Sequence, residues 1–114
     1  MVNPYIPKRG DIVWTNFDPA AGHEQKGKRP ALILSPEKFN KYFGLALAAP
    51  ITSRVRGHAF ETILNQPDIK IKGVVLCQQV KTIDFKARGL QFAGTAPGEV
   101  LTEVLGKVSA IIKE

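Results

Sequence analysis

From Gly10 onward, short apolar runs alternate with polar breaks rich in Gly, Pro and Asn. Asp11-Ile12-Val13-Trp14-Thr15-Asn16-Phe17 is β-branched and aromatic, with Gly10 before it and Asp18-Pro19 after it, and it predicts a strand. Residues 29–35 predict a second. Residues 36–42 then predict a short helix or 3₁₀ turn, with Ser35 as its cap, Pro36 at the first helical position and Gly44 ending it. Further strands are expected at residues 45–51, 59–64, 73–77 and 79–84, joined by polar connections. The last segment changes period. Val100, Leu101, Val104, Leu105, Val108, Ile111 and Ile112 recur at helical spacing, with Pro97 and Glu99 at the helix start, so an amphipathic helix should lie apolar face down on the strands. Gly106 inside it costs about 1 kcal/mol relative to Ala, and it is expected to mark close packing against a neighbour.

Short strands at this spacing, one short helix and one closing helix predict a mainly β fold, a small barrel or sandwich. With 114 residues the chain is expected to form one domain, residues 1–114, with no internal repeat or linker. An apolar share of 44% and a charged share of 23% are those of an ordinary globular protein. No apolar run approaches the roughly 20 residues that span a bilayer. Residues 1–5 lack the charged start and apolar centre of a signal peptide, so no membrane association and a cytoplasmic location are expected. One cysteine and two scattered histidines give no zinc-ligand spacing, and Cys77 reads as a buried strand thiol.

Charge changes the picture. The net charge is +6, yet after residue 94 Lys107 and Lys113 are outnumbered by Glu99, Glu103 and Glu114, so the excess belongs to the body of the domain. Cations recur at Lys26, Lys28, Arg29, Arg54, Arg56, Lys81, Lys86 and Arg88, in loops that can converge on one face suited to a phosphate backbone. The loop Gly22-His23-Glu24-Gln25-Lys26-Gly27-Lys28-Arg29-Pro30 sets a carboxylate, an imidazole and a permanent cation beside a strand.

Arg9-Gly10-Asp11-Ile12-Val13-Trp14, Phe17-Asp18-Pro19, Gly22-His23-Glu24-Gln25, Arg29-Pro30-Ala31, Leu34-Ser35-Pro36, Pro50-Ile51-Thr52-Ser53, Gln79-Val80-Lys81-Thr82-Ile83-Asp84 and Ala87-Arg88 together resemble the MazF/PemK (Kid) family of bacterial toxins. The resemblance covers nearly the whole chain. It implies an SH3-like barrel of six to seven strands, a homodimer, a partner antitoxin and metal-independent, cofactor-free cleavage of single-stranded RNA. It also implies that Thr52 binds phosphate.

Such cleavage needs the 2′-hydroxyl to attack phosphorus, a group to take its proton, and donors for the charge that develops on the phosphoryl oxygens. Arg29, with its planar fork of donors, suits the last task. Glu24 is the general-base candidate, or else it orients Arg29, and His23 ranks below it. Phe17, His23, Gln25, Lys28, Ser53, Arg54, Gln78 and Gln79 are candidates for RNA contacts, whereas His58 is placed outside the site. Phe17 reads equally as core. Gln78 departs from the family pattern, which often has Asp there, and an amide cannot act as a base. The alternatives are a non-catalytic SH3-like module that binds nucleic acid or peptide, and a topoisomerase-poisoning toxin of similar fold.

Overall fold

The computed structural model describes residues 5–113. In chain order it runs β1 (Asp11–Asn16), β2 (Lys28–Ile33), α1 (Glu37–Phe43), β3 (Ala46–Thr52), β4 (Glu61–Gln66), β5 (Ile71–Leu76), β6 (Lys81–Ile83), α2 (Phe85–Arg88), β7 (Gln91–Thr95) and α3 (Gly98–Lys113). Single 3₁₀ turns at Pro67–Ile69 and Cys77–Gln79 flank β5. The seven strands form one antiparallel sheet, six of them in the order β4-β5-β3-β2-β1-β7 and β6 paired to β3 off that path, curled into a half-barrel.

The curl originates at β3. One edge of β3 pairs with β2, whereas its other edge is divided: Ala46, Leu47 and Ala48 face β6, and Ile51 and Thr52 face β5. Apolar residues alternate between two cores on opposite faces of the sheet. Ile12, Leu32, Ala49, Ile51 and Val75 pack under Val104 and Val108 of α3, while Val13, Phe17, Ala31, Ile33, Ala48 and Ile83 pack with Phe85. Strands buried on both faces need apolar residues at successive positions, which explains the unbroken run Ala31-Leu32-Ile33-Leu34.

Several expectations are corrected here. Ser35 does not cap α1; its hydroxyl donates to Asn40 Oδ1 at 2.5 Å and accepts from the Leu47 amide at 2.8 Å. The fully buried Asn40 completes this junction by donating to the Pro7 carbonyl at 2.7 Å. The expected strand over 79–84 is only Lys81–Ile83, because Cys77–Gln79 is a 3₁₀ turn and Asp84 caps α2. Cys77 is buried as expected, but it begins that turn rather than ending a strand. The apolar face of α3 ends early: Ile111 and Ile112 are exposed. Gly106 is also exposed, and a Cβ there would meet no atom within 4 Å, so it marks no close packing.

Gly73 is the opposite case. Its φ of +147° disfavours any residue with a Cβ, and a Cβ would lie 2.0 Å from the Thr52 carbonyl oxygen and 2.8 Å from Ser53 Cα. Only a glycine lets β5 approach the end of β3 this closely. Gly73→Ala is therefore expected to destabilise the fold by about 3 kcal/mol or more, lowering the thermal midpoint by roughly 10 °C or more. Gly106→Ala is expected to stabilise by up to about 1 kcal/mol. Thermal unfolding of both variants beside the parent checks the pair, and equal shifts would refute the assignment.

Candidate functional site

Three segments meet where β2 begins and β3 ends: the loop between β1 and β2, the loop between β3 and β4, and the 3₁₀ turn at Cys77–Gln79. Between them lies a cavity of about 490 Å³ lined by His23, Glu24, Gln25 and Lys26 of the first loop, Arg29 of β2, Thr52 at the end of β3, Ser53, Arg54, Arg56 and His58 of the second loop, and Gln78 and Gln79 of the turn. A smaller one of about 240 Å³, lined by Phe17, Pro50, Val80 and Lys81, shares Glu24, Gln25, Gln78 and Gln79 with it.

The β1–β2 loop is tied to the body by two side chains, an amide and a guanidinium. Gln79 accepts from the Gln25 amide at 2.8 Å and donates to the His23 carbonyl at 3.1 Å. The side chain expected to read a base is thus occupied in holding the loop. Arg88 secures the base of the same loop by donating to the carbonyls of Asn16 and Asp18 at 2.7 and 2.8 Å. At the loop's far end, Arg29 Nε donates to the Lys26 carbonyl at 3.0 Å. That bond fixes the stem of the guanidinium, and among the described residues no carboxylate pairs with it.

Thr52 ends β3, and its Oγ1 accepts from the Arg54 amide at 3.2 Å, which leaves the hydroxyl proton for another acceptor. Glu24 does not pair with Arg29. Its Oε1 accepts from the Ala21 amide at 2.8 Å, within the turn of its own loop. The second carboxylate oxygen remains available.

The β3–β4 loop is gathered around Glu61, which sequence reasoning took only as a strand residue. Its buried carboxylate accepts from the Gly57 amide at 2.8 Å and the Arg56 amide at 3.1 Å, with His58 Nε2 at 3.5 Å. Burial pushes its pKa up, but the two backbone donors and the nearby His58 and Arg56 outweigh burial and leave it below the ordinary carboxylate range. A carboxylate interrupting the apolar pattern of residues 59–64 was the available signal.

His58 lies in the cavity and not outside it. Phe60 donates its amide to His58 Nδ1 at 3.2 Å, and His58 Nε2 sits 3.2 Å from Gln78 Nε2. Backbone folding around Glu61 brought it there, which no local pattern announced. Lys26, Arg56 and Leu76 are the other lining residues not singled out for the site.

Phe17 is only 2% exposed and belongs to the core, so its ring face is not open for stacking. Lys28 points into a separate concavity beyond Arg29. Cys77 is buried; burial raises its thiol pKa, and Thr62 Oγ1 lies 3.7 Å away, so it stays a thiol. No group of three or more His, Cys, Asp or Glu able to hold a metal occurs among the described residues. No helix among them is long and apolar enough to cross a membrane.

Arg29 and Arg54, which have no carboxylate partner among the described residues, and the strand-end Thr52 share the wall of a cleft at one end of the curled β half-barrel. The chain belongs to the PemK-like, MazF-like toxins of type II toxin-antitoxin systems, whose family model matches residues 8–112. It is 40% identical over 112 residues to the endoribonuclease toxin MazF of Escherichia coli K12, covering 98% of this chain and 99% of that one. The endoribonuclease toxin ChpB of the same strain is 43% identical over 110 residues, covering 93% and 94%. The crystal structure of MazF from Deinococcus radiodurans superposes with a TM-score of 0.91 at 42% identity, covering 97% of this chain and all of that one. A MazE-MazF complex from the same organism gives 0.83 at 41% identity, covering 95% and 97%.

Because the folded-state pKa of Glu61 is depressed, its stabilisation of the β3–β4 loop is present above the ordinary value near 4.5 and is lost as pH falls through the lower folded value. Hydrogen-exchange protection of the Arg56 and Gly57 amides is expected to drop in that acid window. In Glu61→Ala both amides should be unprotected at every pH. Protection unchanged by the substitution would refute the anchoring role.

Proposed function

We propose that this chain is the toxin of a toxin-antitoxin pair and a metal-independent endoribonuclease acting on single-stranded RNA, with residues 1–114 as one toxin domain. The observation that carries this reading is the placing of Arg29, Thr52 and Glu24 on one cavity of a fold shared with endoribonuclease toxins. The cavity fits a strand of RNA: its cations outnumber its carboxylates, and one of the two carboxylates, Glu61, is already consumed by backbone donors.

In the reaction the 2′-oxygen bonds to the adjacent phosphorus and the bond from phosphorus to the 5′-oxygen breaks. Products are a 2′,3′-cyclic phosphate and a 5′-hydroxyl. Glu24, with one carboxylate oxygen uncommitted, takes the proton of the 2′-hydroxyl. Arg29 and the Thr52 hydroxyl donate to the phosphoryl oxygens as negative charge grows there. The leaving 5′-oxygen takes a proton, for which the cavity wall offers the imidazole of His23.

Gln25, Ser53, Arg54 and Gln78 then hold the flanking nucleotides, amides reading base edges and the cation meeting phosphate. Gln78 stands free of the loop-holding task that occupies Gln79, so of the two amides it is the base reader.

As a toxin of this kind the chain acts in the cytoplasm, as a homodimer, and is silenced by a cognate antitoxin. The apolar surface for such association is the aromatic group on α1, where Tyr42 and Phe43 are 82% and 56% exposed and meet edge to face with their ring centroids 4.8 Å apart. Sedimentation at micromolar concentration is expected to show a dimer in the parent and a shift toward monomer in Tyr42→Glu/Phe43→Glu. A purely monomeric parent would refute the assembly.

Cleavage is expected to continue in excess EDTA and to fail on a strand carrying deoxyribose at the cut site. Arg29→Lys should be nearly as inactive as Arg29→Ala, each losing on the order of 10²–10³ in single-turnover rate, because one ammonium cannot reproduce a planar fork of donors. Thermal midpoints should stay near the parental value. Near-parental cleavage by Arg29→Lys would reduce Arg29 to a general electrostatic contact, and cleavage of the deoxy-substituted strand would overturn the 2′-hydroxyl mechanism.

A further inference from the structure

On the far side of Arg29 from the main cavity lies a second concavity of about 240 Å³, whose wall includes Trp14, Lys28, Arg29, Ser53, Lys70 and Lys72. Arg29 and Ser53 belong to both. Trp14 and Lys28 reach it from β1 and β2, and Lys72 from the exposed face of β5. Lys70 follows the 3₁₀ turn at Pro67–Ile69 with φ at +57°, a left-handed conformation more natural to glycine. Four cations therefore share one small hollow. No carboxylate lines it, and none of the four is in an ion pair among the described residues.

Like charges gathered this closely raise the local positive potential and favour a polyanion. The half-buried Trp14 adds an aromatic plane at the same place. Cations for phosphate beside an aromatic plane for a base is the pairing by which single strands are bound without sequence reading. Continuity decides the occupant. A strand with its scissile phosphate on Arg29 runs on into this hollow over Ser53, whereas an acidic peptide would match the cations but leave the indole plane unused.

We propose that this hollow is a subsite for the nucleotide flanking the scissile phosphate of single-stranded RNA, its phosphate held by Lys70 and Lys72 and its base stacked on Trp14. The inference rests on reading the main cavity as the RNA-cleaving site. It adds a binding determinant outside that cavity, one that raises affinity without taking part in the chemistry.

The test uses the full chain and the double variant Lys70→Asn/Lys72→Gln, asparagine being tolerant of the left-handed conformation. Trp14 is the only tryptophan, so its fluorescence reports binding directly. The probes are oligonucleotides with deoxyribose at the cut site: a short core, and the core lengthened by two nucleotides at its 5′ or its 3′ end. One extension is expected to quench Trp14 and to tighten binding to the parent about tenfold.

In the double variant that gain should vanish, while cleavage of the short all-ribose core is unchanged. The slope of log affinity against log salt for the extended probe should shrink by about 1.4, roughly 0.7 for each phosphate contact removed. Equal gains from extension in parent and variant, or no quenching by either extension, would overturn the proposal. So would a variant that keeps the RNA gain but loses affinity for an Asp- and Glu-rich peptide, which would make the hollow a protein-docking surface. A parent that cleaves no RNA at all would instead refute the endoribonuclease reading, and the binding measurements would still report on the hollow.

Discussion

The pairing of β3 with three other strands is what the rest of the molecule depends on. A strand has two hydrogen-bonding edges, and β3 gives one to β2 and divides the other between β6 and β5. The sheet must bend at that division, and the bend separates the strand's first half from its last two residues. Ile51 anchors the end in the core beneath α3, and Thr52 follows it directly at the rim of the cavity. The glycine of β5 that passes against the Thr52 carbonyl fixes the depth of the rim. Burial, curvature and the placement of the Thr52 hydroxyl are thus set by one strand.

How much was legible follows from the same geometry. The central strands β1, β2 and β3 are buried on both faces, and their unbroken apolar runs announced them. β7 was missed because Gln91-Phe92-Ala93-Gly94-Thr95 is a sheet edge, paired only with β1 and largely open to solvent, so it carries little apolar signal. Cys77 and Gln79 were read as strand ends on either side of Gln78, because the apolar run of β5 leads straight into the turn they form. Arg29, Thr52 and Glu24 were legible through their motifs, and all three line the cavity. His58 and Glu61 were not, because their place there depends on a loop that folds back onto a buried carboxylate, and such contacts leave no periodic trace.

The electrostatics of the cleft follow from how its acids are used. Glu61 is buried and satisfied by the amides of Arg56 and Gly57, so its charge is spent on shaping a loop rather than on offsetting the cations beside it. Glu24 commits one oxygen to its own turn and keeps the other. Among the described residues the guanidinium of Arg29 is left without a carboxylate partner, a state that a solvent-facing cavity can sustain where a dry core could not. Across the molecule, Lys107 of α3 donates to the Glu61 carbonyl at 2.7 Å and joins the closing helix to the same residue that shapes the loop.

The bond between Gln79 and the β1–β2 loop is made by a neutral amide. Arg88 holds only the base of that loop; had an acid or a base stood at Gln79, the clamp inside the cavity would have been part of the cleft's own field. An uncharged clamp separates the two. The frame keeps its register whatever charge the cleft carries, and surface cations can be substituted without the scaffold having to be rebuilt around each change.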